Sequence, residues 1–116
     1  MATLLDWEGA LENVDGSEEL LIELAEVFIE ECPEMMRQIR VAINERDASA
    51  LQRTAHSLKG SARLFAAAAT SEAASRLETM GANGDLSGAD DGWTALRVEV
   101  DRLMAALAEK TDQQSL

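Results

Sequence analysis

The sequence predicts an all-α fold, an antiparallel four-helix bundle with a short additional N-terminal helix. Ala, Leu, Glu and Met dominate the composition, and these residues favour helices. Seven glycines and one proline are too few for the frequent turns of an all-β fold. Apolar residues recur at helical spacing in long segments joined by short polar breaks, which is typical of packed helices. The 116 residues allow one domain.

The N-terminal segment, residues 1–15, is predicted to contain a short helix from about Leu4 to Val14. Its apolar side comprises Leu4, Leu5, Trp7 and Leu11. Ser17 is a good N-cap, and two glutamates follow it at the positive end of the helix dipole. We therefore expect the helical bundle, residues 17–110, to begin at this cap.

The first bundle helix has a strong apolar period that contains the only proline. Its core side comprises Leu21, Leu24, Phe28, Met35, Ile39 and Ile43. Pro33 either kinks one long helix or occupies the first position of a second helix. The sequence leaves these two alternatives open.

Three further helices complete the predicted bundle. The third helix of the chain spans about residues 48–65, with Asp47 or Ser49 as its cap, and the fourth spans about residues 67–80. The glycine-rich residues 81–92 are predicted to form a loop. The last helix is expected from near Asp91 to about Glu109. Residues 111–116 are expected to form a frayed tail.

The charge of the chain excludes several classes of partner. A net charge of -12 repels nucleic acid and anionic membranes, so we expect neither as a partner. Cys32 is the only cysteine, which rules out an intrachain disulfide and fits a reducing compartment. The N-terminal residues do not resemble a signal peptide, and no apolar run is long enough to span a membrane. We therefore expect a cytoplasmic protein, and a monomer.

His56, the only histidine, is predicted to face away from the core. At about 100° per residue it lies about 140° from Leu51 around the helix. The apolar stripe of this helix comprises Leu51, Ala55, Leu58, Ala62 and Phe65. The usual interpretation of a lone histidine is a hydrogen-bonded core residue, and this geometry argues against it.

A basic strip lies on the same side of that helix as His56. It contains Lys59 and Arg63, with Gln52 as a polar neighbour, and no Asp or Glu occurs in residues 48–71. Such a strip suits a dianionic group at His56. The alternative is chance placement of solvated charges. Gly60 costs a helix roughly 1 kcal/mol relative to alanine, which predicts that another surface approaches there closely.

Other chemistry for this histidine lacks the necessary residues. One His and one Cys cannot form an ordinary zinc site, and the absence of acids around His56 argues against a carboxylate-rich metal site. Ser57 and His56 point apart on a helix, so they do not form a triad. The sequence contains no glycine-rich phosphate loop, so it does not indicate an ATP site. The remaining role for His56 is that of an exposed imidazole that acts as a nucleophile toward phosphorus.

The segment "AHSLKGSA", residues 55–62, resembles the signature of histidine-containing phosphotransfer (HPt) domains. That signature has Lys three and Gly four residues after the His. The likeness extends from "LDWEGALENV" near the N-terminus to "RLE" at residues 76–78, where the family often has Leu-Glu.

This resemblance implies a phosphorelay carrier that has no ATP site of its own. His56 would take a phosphoryl group at Nε2 from the aspartate of a response-regulator receiver domain and pass it to another receiver. Lys59 would stabilise the phosphoryl oxygens, Gly60 would admit the receiver, and Arg63 and Gln52 would be neighbours of the phosphate. The domain would bind no cofactor, Mg²⁺ would come with the receiver, and a sensor histidine kinase is a further candidate partner.

The chain departs from the family pattern at three positions. Ala66 replaces a glycine usual ten residues after the histidine, and Thr70 and Ala73 stand where leucine is frequent. The Ala66 departure leaves the sharp turn expected there in doubt. Thr70 and Ala73 are smaller than leucine, so they imply either a slimmer contact of this helix with its neighbours or larger neighbouring side chains that fill the space.

A weaker apolar stripe on the first bundle helix is a candidate docking face for the receiver. It comprises Ile22, Ile29 and Met36, together with the exposed side of Leu64. Packing against the N-terminal segment is the favoured alternative. The rival function is a helical adaptor that binds a partner without chemistry. A degenerate copy of this kind usually loses the histidine, and this chain keeps it.

Overall fold

The structure, a computed structural model, describes residues 5–114 and the side chains of residues 5–112. The described chain contains five helices: α1 (Trp7–Asn13), α2 (Glu18–Asn44), α3 (Ala48–Leu64), α4 (Ala68–Asn83) and α5 (Ala89–Gln114). Helices α2 to α5 pack in sequence order and close into a bundle where α5 meets α2. α1 packs against α2. The predicted all-α bundle with an extra N-terminal helix is confirmed.

The core fills the space between the four long helices. The predicted inward side of α3 is fully buried at Leu51, Ala55, Leu58 and Ala62. The rings of Phe28 and Phe65 meet with centroids 5.5 Å apart. Burying a leucine stabilises the fold by roughly 1.5–3 kcal/mol, so this stripe fixes which side of α3 faces solvent.

Local capping signals place the starts of the helices. The Ser17 hydroxyl accepts a hydrogen bond from the Leu20 N–H at 3.2 Å, as predicted. Asp47 caps α3 by accepting from the Ala50 N–H at 3.0 Å, which decides between the two predicted caps. Pro33 lies inside one continuous helix, α2, so the alternative of a separate second helix is wrong.

Two predicted boundaries need correction. The loop expected at residues 81–92 covers only 84–88, because Gly81 and Gly92 lie within α4 and α5 against neighbouring side chains or backbone. α5 continues to Gln114 beyond the predicted end near Glu109, so residues 111–114 are helical. Lys110 lies over the Trp7 ring at 5.4 Å and holds this end of α5 against α1. Leu4 and residues 115–116 lie outside the described chain.

Ala66 forms the sharp turn that its replacement of glycine had left in doubt. Its φ is 52°, in the left-handed region that favours glycine. The N–H of Ala67 donates to the Ala62 carbonyl at 2.9 Å and that of Ala66 to Arg63 at 3.0 Å, which ends α3. Beyond this turn Thr70 is fully buried, and its hydroxyl donates to the Glu99 carbonyl of α5 at 3.4 Å.

Replacing Ala66 with glycine is expected to stabilise the domain. A left-handed conformation costs an L-residue roughly 1–2 kcal/mol, and the extra freedom of glycine in the unfolded chain removes about half of that gain. We expect a net increase of about 0.5–1 kcal/mol in the free energy of unfolding, measured with urea. Ala105→Gly, at an exposed position within α5, is the control and should destabilise by about as much. Equal destabilisation by both changes would contradict this account.

Candidate functional site

The candidate site lies on the outward side of α3. The His56 side chain is 66% exposed, as its predicted angle requires. Leu51, Ala55 and Leu58 on the same helix point into the core. His56 is therefore accessible to a second molecule.

Glu78 of α4 holds one nitrogen of the His56 ring. Its Oε2 lies 2.6 Å from His56 Nδ1, and its side chain is only 18% exposed. An ionised carboxylate can only accept a hydrogen bond, so in the neutral ring Nδ1 carries the proton. Nε2 then presents its lone pair to solvent, where an electrophile can reach it.

Lys59 meets the other oxygen of the same carboxylate. Its Nζ pairs with Glu78 Oε1, and its side chain is mostly buried. Lys59 was predicted to stabilise a phosphoryl group, and the structure places its ammonium on Glu78. An ammonium has three donors, so this ion pair leaves others for a group bound at His56.

Glu78 is the residue that sequence reasoning missed. The absence of acids from residues 48–71 predicts basic surroundings for His56, but it concerns only the helix of His56 and the residues that directly follow it. The carboxylate comes from the next helix. The "RLE" segment at residues 76–78, which resembles the Leu-Glu of the family, is the one feature of the sequence that points to Glu78.

The lowered pKa of the Glu78 carboxyl defines the pH range in which its contacts with Lys59 and His56 stabilise the fold. The hydrogen bond from Lys59 chiefly lowers that pKa, partial burial opposes the shift, and the His56 contact adds to the lowering. The stabilisation is thus complete above the ordinary carboxyl value of 4.5 and is lost as pH falls through the lowered pKa. We expect the difference in unfolding free energy between wild type and Glu78→Gln to shrink below that range in urea titrations. A constant difference down to acid pH would contradict it.

Gly81 sets the distance between α3 and α4 beside the site. A Cβ at this position would lie 2.7 Å from both the Ala48 carbonyl oxygen and the Gln52 backbone nitrogen. Gly81 is about one turn beyond Glu78, and Gln52 is about one turn before His56. This tight backbone contact is therefore about one helical turn from the His56–Glu78 contact.

Gly81→Ala is expected to destabilise the domain and to loosen the His56–Glu78 contact. The new methyl group meets backbone atoms that cannot move independently, so we expect a cost of about 1–3 kcal/mol in unfolding free energy. The NMR signal of the hydrogen-bonded His56 ring N–H should weaken. The matched control is Gly60→Ala, because a Cβ there meets no atom within 4 Å. An unchanged ring signal in a destabilised Gly81→Ala protein would contradict the positioning role.

The other predicted site residues share the outward face of α3. Gln52, Gly60 and Arg63 are all exposed. Nothing within 4 Å in the described chain explains the missing side chain of Gly60. Asn13 Nδ2 of α1 donates to the Leu64 backbone carbonyl at 2.9 Å and thereby ties α1 to the end of this helix.

The part of the chain that the structure describes offers little other chemistry. Residues 5–114 contain no group of three or more His, Cys, Asp or Glu side chains able to hold a metal ion. Burial, with a smaller effect of the Asp101 charge, raises the pKa of the Cys32 thiol to about 12, so it is not a nucleophile. No helix in the same range is long and apolar enough to cross a membrane.

A family model described as "Hpt domain" matches residues 23–109. The chain belongs to the Hpt domain family. It is a histidine-containing phosphotransfer domain of two-component phosphorelays, a phosphoryl carrier rather than a kinase. Hpt domains interact with receiver domains.

Solved structures share the fold of this Hpt domain. Histidine-containing phosphotransfer protein B (HptB) from Pseudomonas aeruginosa PAO1 is 23% identical with a TM-score of 0.88, over 97% of this chain and 98% of that chain. The HPT domain of a sensor hybrid histidine kinase from Shewanella is 18% identical with a TM-score of 0.84, over 95% of each chain. A search of curated proteins returned no match.

The predicted docking face of the Hpt domain needs revision. Ile22 and Met36 are both buried. Met36 belongs to the core, and its backbone carbonyl accepts a 3.2 Å hydrogen bond from Trp93 Nε1. These two residues offer a partner almost no surface. Ile29 and Leu64 are half-buried and pack against the core with part of their surface. Of the four residues of the predicted docking face, only these two can contribute to a contact with another protein.

Proposed function

We propose that His56 is the phosphoacceptor of this Hpt domain. The observation that carries the proposal is the exposed ring whose Nδ1 is held by the Glu78 carboxylate. This arrangement directs the lone pair of Nε2 outward. It is the protonation pattern that a nucleophilic imidazole requires.

The proposed step exchanges one bond to phosphorus for another. The Nε2 lone pair attacks the phosphorus of a receiver's phosphoaspartate, the bond from phosphorus to the aspartate oxygen breaks, and the aspartate leaves as a carboxylate. The proton stays on Nδ1, and Glu78 stabilises the positive charge that develops on the ring. Transfer to a second receiver reverses these changes.

The neighbouring residues assist by position and charge. Lys59 orients Glu78 and turns its remaining donors toward the phosphoryl oxygens. Gly60 leaves space for the docked receiver, and Arg63 and Gln52 lie farther along the same face. The receiver brings Mg²⁺, and the domain acts as a cytoplasmic monomer whose partners are receivers and, at one end of the relay, a sensor histidine kinase.

The test is a transfer assay with phosphorylated receiver domains from the same organism. Wild type is expected to acquire an acid-labile, alkali-stable label. His56→Gln, with its fold verified by circular dichroism, is expected to acquire none, because His56 is the only histidine. Absence of label on the folded wild type with every receiver would reject the proposal. The adaptor that binds without chemistry would then replace it.

A further inference from the structure

We propose that an acidic edge of α2 selects the partner of this Hpt domain. The edge consists of four glutamates around two exposed apolar side chains: Glu23, Glu30, Glu31, Glu34, Leu20 and Val27. The favoured partner is a receiver domain whose docking face combines an apolar centre with basic side chains. This inference rests on the proposed function of His56.

The seam between α2 and α3 identifies the side of α2 that borders the His56 helix. A groove at this seam is lined by Gln38 and Val41 of α2 and by Ala50 and Thr54 of α3. Residues seven apart return to nearly the same side of a helix, so the side of Val41 continues through Glu34 and Val27 to Leu20. The short turn after α2 makes the two helices antiparallel. Val27 therefore lies beside the C-terminal half of α3.

Exposed apolar surface is concentrated on that side. Leu20 is 43% exposed, Val27 48% and Val41 37%, and among the described residues the other large exposed apolar side chain is Val98 of α5. Single exposed apolar residues are ordinary, but three on one stripe of α2, of which Val27 and Val41 lie beside the site helix, indicate a contact surface. On α3, each step from His56 to Gly60 to Leu64 turns about 40° toward α2. The outward surface of α3 that contains His56 is thus continuous with the side of α2 that contains Val27.

The charges on the two sides of this surface have opposite signs. Residues 18–36 of α2 contain seven glutamates and no Lys or Arg, whereas residues 48–71 contain no acid. Glu34 pairs with Arg37, but Glu23, Glu30 and Glu31 have no ion-pair partner within the described chain. A receiver that docks on His56 and reaches α2 meets this uncompensated negative charge. Basic side chains there speed association, and acidic ones oppose it.

The test reverses charge on this edge and on a control surface. Glu23→Lys combined with Glu31→Lys changes the acidic edge. Asp91→Lys combined with Glu109→Lys makes the same charge change on exposed positions of α5, which flanks α2 and α4. Phosphoryl transfer is measured with a panel of receivers from the same organism, ranked by the charge of the face around the phosphoacceptor aspartate. Labelling of His56 by phosphoramidate, which needs no docked protein, is measured in parallel.

We expect the edge variant to slow transfer from basic-faced receivers about tenfold at low ionic strength. The difference should vanish near 1 M salt, where the Debye length is about 3 Å. The α5 control should slow transfer much less than the edge variant does, because α5 packs on α2 and α4 and lies across the bundle from the His56 helix. Val27→Ser should also slow transfer, and Val98→Ser, at a similarly exposed valine, should leave it unchanged.

Equal slowing by the edge and α5 variants would overturn the inference, as would wild-type rates that do not depend on the charge of the receiver face. These outcomes differ from a failure of the proposed function, in which no receiver labels wild-type His56 at all. Unchanged phosphoramidate labelling of the edge variant separates an effect on docking from an effect on the ring.

Discussion

Gly60→Gln is expected to make the domain more stable and nearly inactive with receivers. A Cβ at Gly60 meets nothing within 4 Å, so the substitution removes the helical cost of glycine and should raise the unfolding free energy by about 0.5 kcal/mol. The new side chain occupies the surface one turn beyond His56. Crowding a close-fitting contact costs about 1–3 kcal/mol, which corresponds to a roughly five- to 150-fold slower transfer.

Gly60→Ala should give the larger gain in stability and the smaller loss of transfer, because it adds only a methyl group. Urea unfolding and transfer from a phosphorylated receiver measure the two effects on one protein. Labelling by phosphoramidate should remain at the wild-type rate in both variants, since the ring is untouched. A stabilised Gly60→Gln protein that accepts phosphoryl from receivers at the wild-type rate would show that no partner approaches this position.

Glu78→Gln is expected to slow phosphorylation of His56 by roughly two orders of magnitude. Lys59 requires an acceptor, so the amide oxygen of the introduced glutamine turns toward its ammonium. The amide nitrogen then faces His56 and donates to Nδ1, which moves the ring proton to Nε2. A protonated Nε2 has no lone pair for phosphorus. Rates with a receiver and with phosphoramidate should fall together, unlike those of the Gly60 variants.

Two further variants test that explanation. Glu78→Ala imposes neither tautomer, so it should lose less activity than Glu78→Gln. In a Lys59→Met background the amide is free to rotate, and adding Glu78→Gln should then cost much less than it does in wild type. A Glu78→Ala protein that is slower than Glu78→Gln would contradict the tautomer argument.

The sequence predicted those parts of the site that lie on one helix. The exposure of His56 and the burial of Leu51 and Leu58 follow from helical periodicity, which the core then enforces. Glu78 lies 22 residues from His56, and only the packing of α4 against α3 brings them together. Nothing in the periodicity of either helix gives that distance.

The glycines of residues 81–92 and the apolar stripes on α2 predicted the structure less well than the periodicity of α3 did. Four glycines in residues 81–92 indicated a loop, but Gly81 is a packing residue, and only the backbone of the neighbouring helix shows this. Ile22 and Met36 form a regular stripe, yet a helical wheel does not reveal which neighbour covers it. The exposed residues Leu20 and Val27 follow the same seven-residue spacing.

The most direct test of the central claim locates the phosphoryl group on the ring. The domain is labelled with ¹⁵N, phosphorylated by a receiver, and studied by long-range proton–nitrogen NMR of its single histidine with phosphorus coupling. We predict phosphorus on Nε2 of His56, with the proton on Nδ1 still hydrogen-bonded to Glu78. Phosphorus on Nδ1, or on any residue other than His56, would contradict the account.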